Sequence, residues 1–192
     1  MKKALFVDCC LRNGSQTKIL ANEFLSKLQG YDIKHLELAN ENLKPLVSDF
    51  LESRQELLDN NELDHPRFRY AHEFKDADLI VIAAPFWDLS FPALLKIYIE
   101  NICVDGITFD STSEGLTGLC KANTLVYLTT RGGFYLNSPL EQALPYIGSM
   151  CKFFGIENFK YVAADGMNVQ GFDAHESLNE AIEKAKQIAK TL

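Results

Sequence analysis

Positive charge is scarce in this 192-residue sequence, where 19 Lys and Arg stand against 26 Asp and Glu, for a net charge of −7. No stripe of Lys or Arg gathers anywhere, so a nucleic-acid partner, which needs clustered cations for its phosphates, is not expected. Long apolar runs are missing as well. None approaches the ~20 residues needed to span a bilayer, and no membrane association is expected. The Met1-Lys2-Lys3 start imitates a signal peptide, but its apolar run stops at Asp8 and no Ala-x-Ala site follows, so a cytoplasmic location is expected. Cysteine is sparse and unpatterned. Cys9, Cys10, Cys103, Cys120 and Cys151 form an odd set without Cys-x-x-Cys spacing, and the histidines are scattered. Neither a disulfide framework nor a metal site is expected. Also absent are Gly-x-x-x-x-Gly-Lys-Ser/Thr and Gly-x-Gly-x-x-Gly, which weakens ATP and dinucleotide readings.

The sequence does contain short apolar runs alternating with helical patterns. At 47% hydrophobic residues it can bury a core, and its length suits a single domain over 1–192. Lys3–Asp8 reads as a strand, followed by a helical pattern through Ile19, Leu20, Phe24, Leu25 and Leu28 that Gly30 ends. Asp32–Leu38 alternates like a second strand. Residues 41–76 carry two helical patterns divided by Pro66, an elaborated crossover with a surface excursion. Asp78–Pro85 is apolar throughout, as in a central parallel strand buried on both faces. Pro92 opens a helix to Ile102, and Thr124–Thr130 is a further strand. Ser138-Pro139 resembles an N-cap and first-turn proline of a helix running to Phe154, with Gly155 as its stop. Phe159–Ala164 and Ala174–Ala189 close the chain as strand and amphipathic helix. Alternation of this kind implies an α/β fold: a flavodoxin-like, doubly wound, five-stranded parallel sheet of order 2-1-3-4-5 with helices on both faces.

In that topology three loops share one edge of the sheet. Cys9 through Thr17 sets Gly14 among Asn13, Ser15, Gln16 and Thr17 at a helix start, a place for an anion such as a terminal phosphate. Plain N-capping by Ser15 explains the same residues. Pro85-Phe86-Trp87-Asp88-Leu89-Ser90-Phe91-Pro92 holds aromatic rings between prolines, suited to a planar ligand, to a hydrophobic plug or to a partner. Thr130-Arg131-Gly132-Gly133 lets backbone approach a ligand closely, or simply turns. Phosphate, ring-edge and ring-face groups thus converge on one edge.

The run from Ala84-Pro85-Phe86-Trp87-Asp88-Leu89 to Lys96, then Gly106-Ile107-Thr108-Phe109 and Thr130-Arg131-Gly132-Gly133, closely resembles the FMN-dependent NAD(P)H azoreductase and quinone oxidoreductase family. Ser15-Gln16-Thr17 is similar to that family's phosphate-binding Ser-Gln-Ser. The resemblance implies a homodimer with non-covalent FMN, NADH or NADPH as donor, and a quinone or azo acceptor reduced by a ping-pong reaction. It also implies that Cys9, Ser15, Gln16 and Thr17 hold the phosphate. Pro85, Phe86, Trp87, Asp88 and Leu89 would border the isoalloxazine, and Thr130, Arg131, Gly132 and Gly133 its pyrimidine edge. Trp87 and Phe134 would face the substrate. The chain departs from the family in having Asp88 for the common Asn, Cys9 for Ser and Trp87 for Tyr. A carboxylate cannot donate the hydrogen bond an amide can. Two rival readings are a flavodoxin-like electron carrier and a thiol redox sensor built on Cys9 and Cys10.

Overall fold

The computed structural model describes residues 1–192. In chain order its elements are β1 (Lys2–Asp8), α1 (Gln16–Leu25), β2 (Tyr31–Glu37), α2 (Ser48–Asp59), α3 (Arg69–Asp76), β3 (Leu79–Ala83), α4 (Ala93–Ile102), β4 (Phe109–Thr112), β5 (Gly115–Gly118), β6 (Thr124–Thr130), α5 (Ala143–Phe153), β7 (Asn158–Ala164) and α6 (Ala174–Lys190). Five strands form a parallel sheet in the order β2-β1-β3-β6-β7. Counting only these strands, that is the flavodoxin-like 2-1-3-4-5 order expected from the sequence.

Period-two alternation feeds two cores from one sheet. Leu5, Val7, Ile80, Ile82, Leu125 and Tyr127 face α3, α4 and α5, meeting Phe74, Tyr98, Ile147 and Phe154. Phe6, Val81, Val126 and Leu128 face α1 and α6, meeting Leu20, Phe24, Leu178 and Ala185. Every residue of β3 is buried, as its unbroken apolar run requires. The edge strand β2 behaves differently: of its seven residues only Leu36 is buried, so its alternation marks no covered face.

Two local features depart from expectation, while the surface excursion has its two helices where the sequence puts them. An antiparallel β4–β5 hairpin precedes β6, and Gly118 at its end lies so close to α5 that an added Cβ would stand 2.0 Å from the Gly155 amide nitrogen. The helix expected to start at Ser138-Pro139 starts instead at Ala143, because the Glu141 carboxylate accepts the Ala143 and Leu144 amides at 3.1 and 3.0 Å. Ser138 Oγ takes the Leu140 amide in a local turn at 3.2 Å. The excursion over 41–76 contains α2, which buries none of its residues. Side chains tether it: the Arg67 guanidinium lies 3.7 Å from the Phe50 ring centre, and Arg54 Nη2 donates to the Cys103 carbonyl at 2.6 Å. No helix is long and apolar enough to cross a membrane.

Candidate functional site

Parallel strands end together, so the loops after β1, β3, β6 and β7 meet at one edge. They enclose a cleft of about 720 Å³, within the range of sites that hold small molecules or cofactors. Its lining comes from Arg12 to Gly14 and Gln16, from Pro85 to Leu89, from Thr130 to Gly133 with Tyr135, and from Met167 and Asn168.

The first loop divides its expected residues. Ser15 caps α1, its Oγ accepting the Lys18 amide at 3.3 Å, and it lines an adjoining recess of about 430 Å³ rather than the main cleft. Gln16 reaches the cleft. Thr17 is buried beneath it, with its hydroxyl 2.7 Å from that of Thr130. Cys9 lies in the core, and its amide donates to the Ala83 carbonyl at 2.8 Å. Burial pushes the Cys9 thiol up to about 12. Behind the loop Asp8 is buried, accepting bonds from Lys18 Nζ, from His35 Nε2 at 2.9 Å and from the Cys10 amide at 3.0 Å. Burial alone would raise its carboxyl, but these bonds outweigh that and hold it below the ordinary range.

The second loop is a two-residue hairpin. Trp87 and Ser90 exchange backbone bonds of 3.1 and 2.8 Å, and between them Asp88 and Leu89 have φ values of 47° and 66°. Two successive left-handed residues are the mark of a type I′ turn, which normally prefers Asn-Gly. The Gln142 amide, at the start of α5, donates to the Leu89 carbonyl at 3.0 Å. This turn projects Trp87 and Asp88 into the lining, while Phe86 packs 4.8 Å from the Tyr135 ring.

The third loop is zipped to the one after β7. Arg131 and Ala164 share a 2.8 Å backbone bond, and the amides of Gly166, Met167 and Asn168 donate to the carbonyls of Gly133, Arg131 and Gly132 at 3.0, 3.0 and 2.9 Å. A Cβ at Gly132 would stand 2.9 Å from Asn168 Nδ2, so any side chain there would push the Asn168 amide aside. Asp165 braces the loop by accepting the amides of Tyr135 and Leu136 at 3.0 and 2.8 Å. Phe134 does not line the cleft. It is 58% exposed and stacks edge-on against Phe172 at 4.9 Å. Met167 and Asn168 carry no motif that marks them for the cleft. Their signal is one of position: Phe159–Ala164 must end on the same edge, and a Gly follows it at 166.

A family model described as flavodoxin-like fold matches residues 2–189. The chain belongs to this family. Two curated relatives are FMN-dependent NADH:quinone oxidoreductases, one from Clostridium perfringens at 36% identity and one from Clostridium beijerinckii at 38%, each over 196 residues and 99% of both chains. Among solved flavodoxin-like structures, an azoreductase from Bacillus anthracis superposes with a TM-score of 0.89 at 28% identity over 100% of both chains. An FMN-dependent NADH-azoreductase from the same species, in complex with FMN, shares the fold with a TM-score of 0.86 at 23% identity, covering 100% of this chain and 99% of its own.

For a flavodoxin-like protein the decisive test is whether the cleft suits a planar ring system with an anionic tail. Its donor set does. Phe86, Trp87 and Tyr135 supply flat apolar faces, Asn13, Gln16 and Asn168 supply amides, and Arg12 supplies a cation beside the start of α1. Gly132 keeps the wall thin enough for a ring edge to meet backbone. Nowhere in the molecule do three or more His, Cys, Asp or Glu gather to hold a metal ion.

Proposed function

We propose that this flavodoxin-like enzyme is an FMN-dependent oxidoreductase that transfers two electrons from NADH to quinones or azo compounds. The observation that carries the reading is the cleft: aromatic, amide and phosphate-suited groups from separate loops face one space of cofactor size. Full-length similarity to FMN-dependent NADH:quinone oxidoreductases supports it and favours NADH as donor. Bound there, FMN would accept a hydride from the donor and deliver two electrons to the acceptor.

The protein's own residues bind and orient. Arg12, Gly14, Ser15 and Gln16, where the cleft meets the adjoining recess, would hold the phosphate, with Thr17 fixing their loop from below. Pro85 through Leu89 border the ring system, and Thr130 through Gly133 offer backbone groups to its edge. Trp87 floors the opening through which donor and acceptor enter in turn, the basis for a ping-pong order. No side chain is required as a nucleophile. Leu89, Phe134, Leu136, Leu140 and Phe172 are exposed large apolar residues, all on the loops around the cleft, and we assign their cover to a second copy of the chain. Five free cysteines suit the reducing cytoplasm.

Reconstitution tests the reading. Protein mixed with excess FMN and desalted should keep a visible flavin spectrum, bleach with NADH under anaerobic conditions and recover on adding a quinone. A colourless protein, or one that NADH cannot bleach, overturns it.

A further inference from the structure

Behind the third loop lies a charged cluster that the cleft's shape does not require. Arg131 is wholly buried, its guanidinium 5.4 Å from the centre of the Phe86 ring. Two carboxylates face it, Asp165 Oδ1 at 3.3 Å from Nη1 and Glu141 Oε1 at 3.6 Å from Nη2. The three groups are unequally bonded. Glu141 also accepts the Ala143 and Leu144 amides, and Asp165 those of Tyr135 and Leu136, so each carboxylate has hydrogen-bond donors besides Arg131. The guanidinium, by contrast, leaves Nε and Nη2 without hydrogen-bond partners and shut from solvent. A buried cation with unused donors is costly to keep, which calls for a use.

We propose that the Arg131–Glu141–Asp165 cluster sets the electron affinity of the cofactor in the cleft, with both acids acting as positioning residues that damp the guanidinium's charge. The inference rests on the FMN reading above. A cofactor that gains electrons gains negative charge. Arg131, a residue of the cleft lining with its guanidinium packed beside the Phe86 ring, favours that gain, and each carboxylate opposes it. Screening is weak because the guanidinium is fully buried and Glu141 nearly so, while Asp165 is partly exposed and should act less strongly. One cation against two anions holds the potential down, so neutralising either acid should raise it.

The test is a spectroelectrochemical titration of the FMN-loaded protein, run beside thermal melting, for wild type, Glu141→Gln, Glu141→Ala and Asp165→Asn. All three variants are expected to shift the midpoint potential to more positive values. Glu141→Gln should melt close to wild type, since its amide oxygen still accepts the Ala143 and Leu144 amides, whereas Glu141→Ala should melt lower. Unchanged or lowered potentials in Glu141→Gln and Asp165→Asn overturn the inference. So does a shift confined to Glu141→Ala, which would reflect only the lost helix cap. FMN-bound variants with unaltered potential sink this inference alone, while a wild type that retains no FMN sinks the cofactor reading and this with it.

Discussion

The hydroxyl oxygens of Thr17 and Thr130 lie 2.7 Å apart, both residues buried, joining the first turn of α1 to the end of β6 across 113 positions of sequence. That single contact locks the loop after β1 to the loop after β6. Removing one hydroxyl strands the other in the interior. Thr17→Val or Thr130→Val should therefore lose about 1–3 kcal/mol of stability and release FMN faster. Replacing both should lose less than the sum of the singles, as a double-mutant cycle on urea unfolding would report. Additive losses would mean that the two hydroxyls are not coupled.

Strain in the Trp87–Ser90 turn gives a second prediction. Leu89 is a bulky residue at φ 66°, a conformation that glycine adopts freely and other residues hold at a penalty on the order of 1–3 kcal/mol. Leu89→Gly should raise the melting temperature while loosening this wall of the cleft, so that KM for the acceptor rises more than kcat falls. A lowered melting temperature would show instead that Leu89 is held by contacts worth more than the strain.

Asp8 sets an acid limit. Burial works to raise its carboxyl, but hydrogen bonds from Lys18, the Cys10 amide and His35 win and keep it below the ordinary 3.8. A carboxyl depressed on folding contributes stability above its unfolded pKa and loses it as pH falls through the folded value. Asp8→Asn should therefore melt well below wild type at pH 7, and the gap should close as pH drops beneath about 3.8. Melting curves from pH 7 to pH 3 would check this, and a gap of constant size would refute the linkage.

Thiol chemistry should be slow. Burial, the leading cause, raises both neighbouring thiols, Cys9 to about 12 and Cys10 further still. Thiolate is the reactive form, so at neutral pH almost none is present. The double variant Cys9→Ser, Cys10→Ser should keep wild-type activity and wild-type tolerance of peroxide, and intact wild type should resist iodoacetamide at pH 7.5. Rapid alkylation, or peroxide sensitivity that the double variant abolishes, would revive the thiol-sensor reading.

What the sequence by itself determined was the pattern of strands, helices and edge. Apolar runs at Lys3–Asp8, Asp78–Pro85 and Thr124–Thr130 read as strands, the second buried on both faces, and right-handed crossovers then bring their following loops to one side. Periodicity is a local property, and local chemistry sufficed to place Gln16, Trp87, Asp88 and Gly132 in the lining. Tertiary structure alone decided the rest, because it depends on partners far away in sequence. Cys9, beside a polar loop, turned into the core instead of towards a phosphate. Phe134 swung out to Phe172, while Met167 and Asn168 zipped against Arg131 and Gly132 to complete the wall. The helix after β6 waited for Glu141 rather than starting at Ser138-Pro139, since a carboxylate that satisfies two amides outcompetes a hydroxyl already engaged in its own turn.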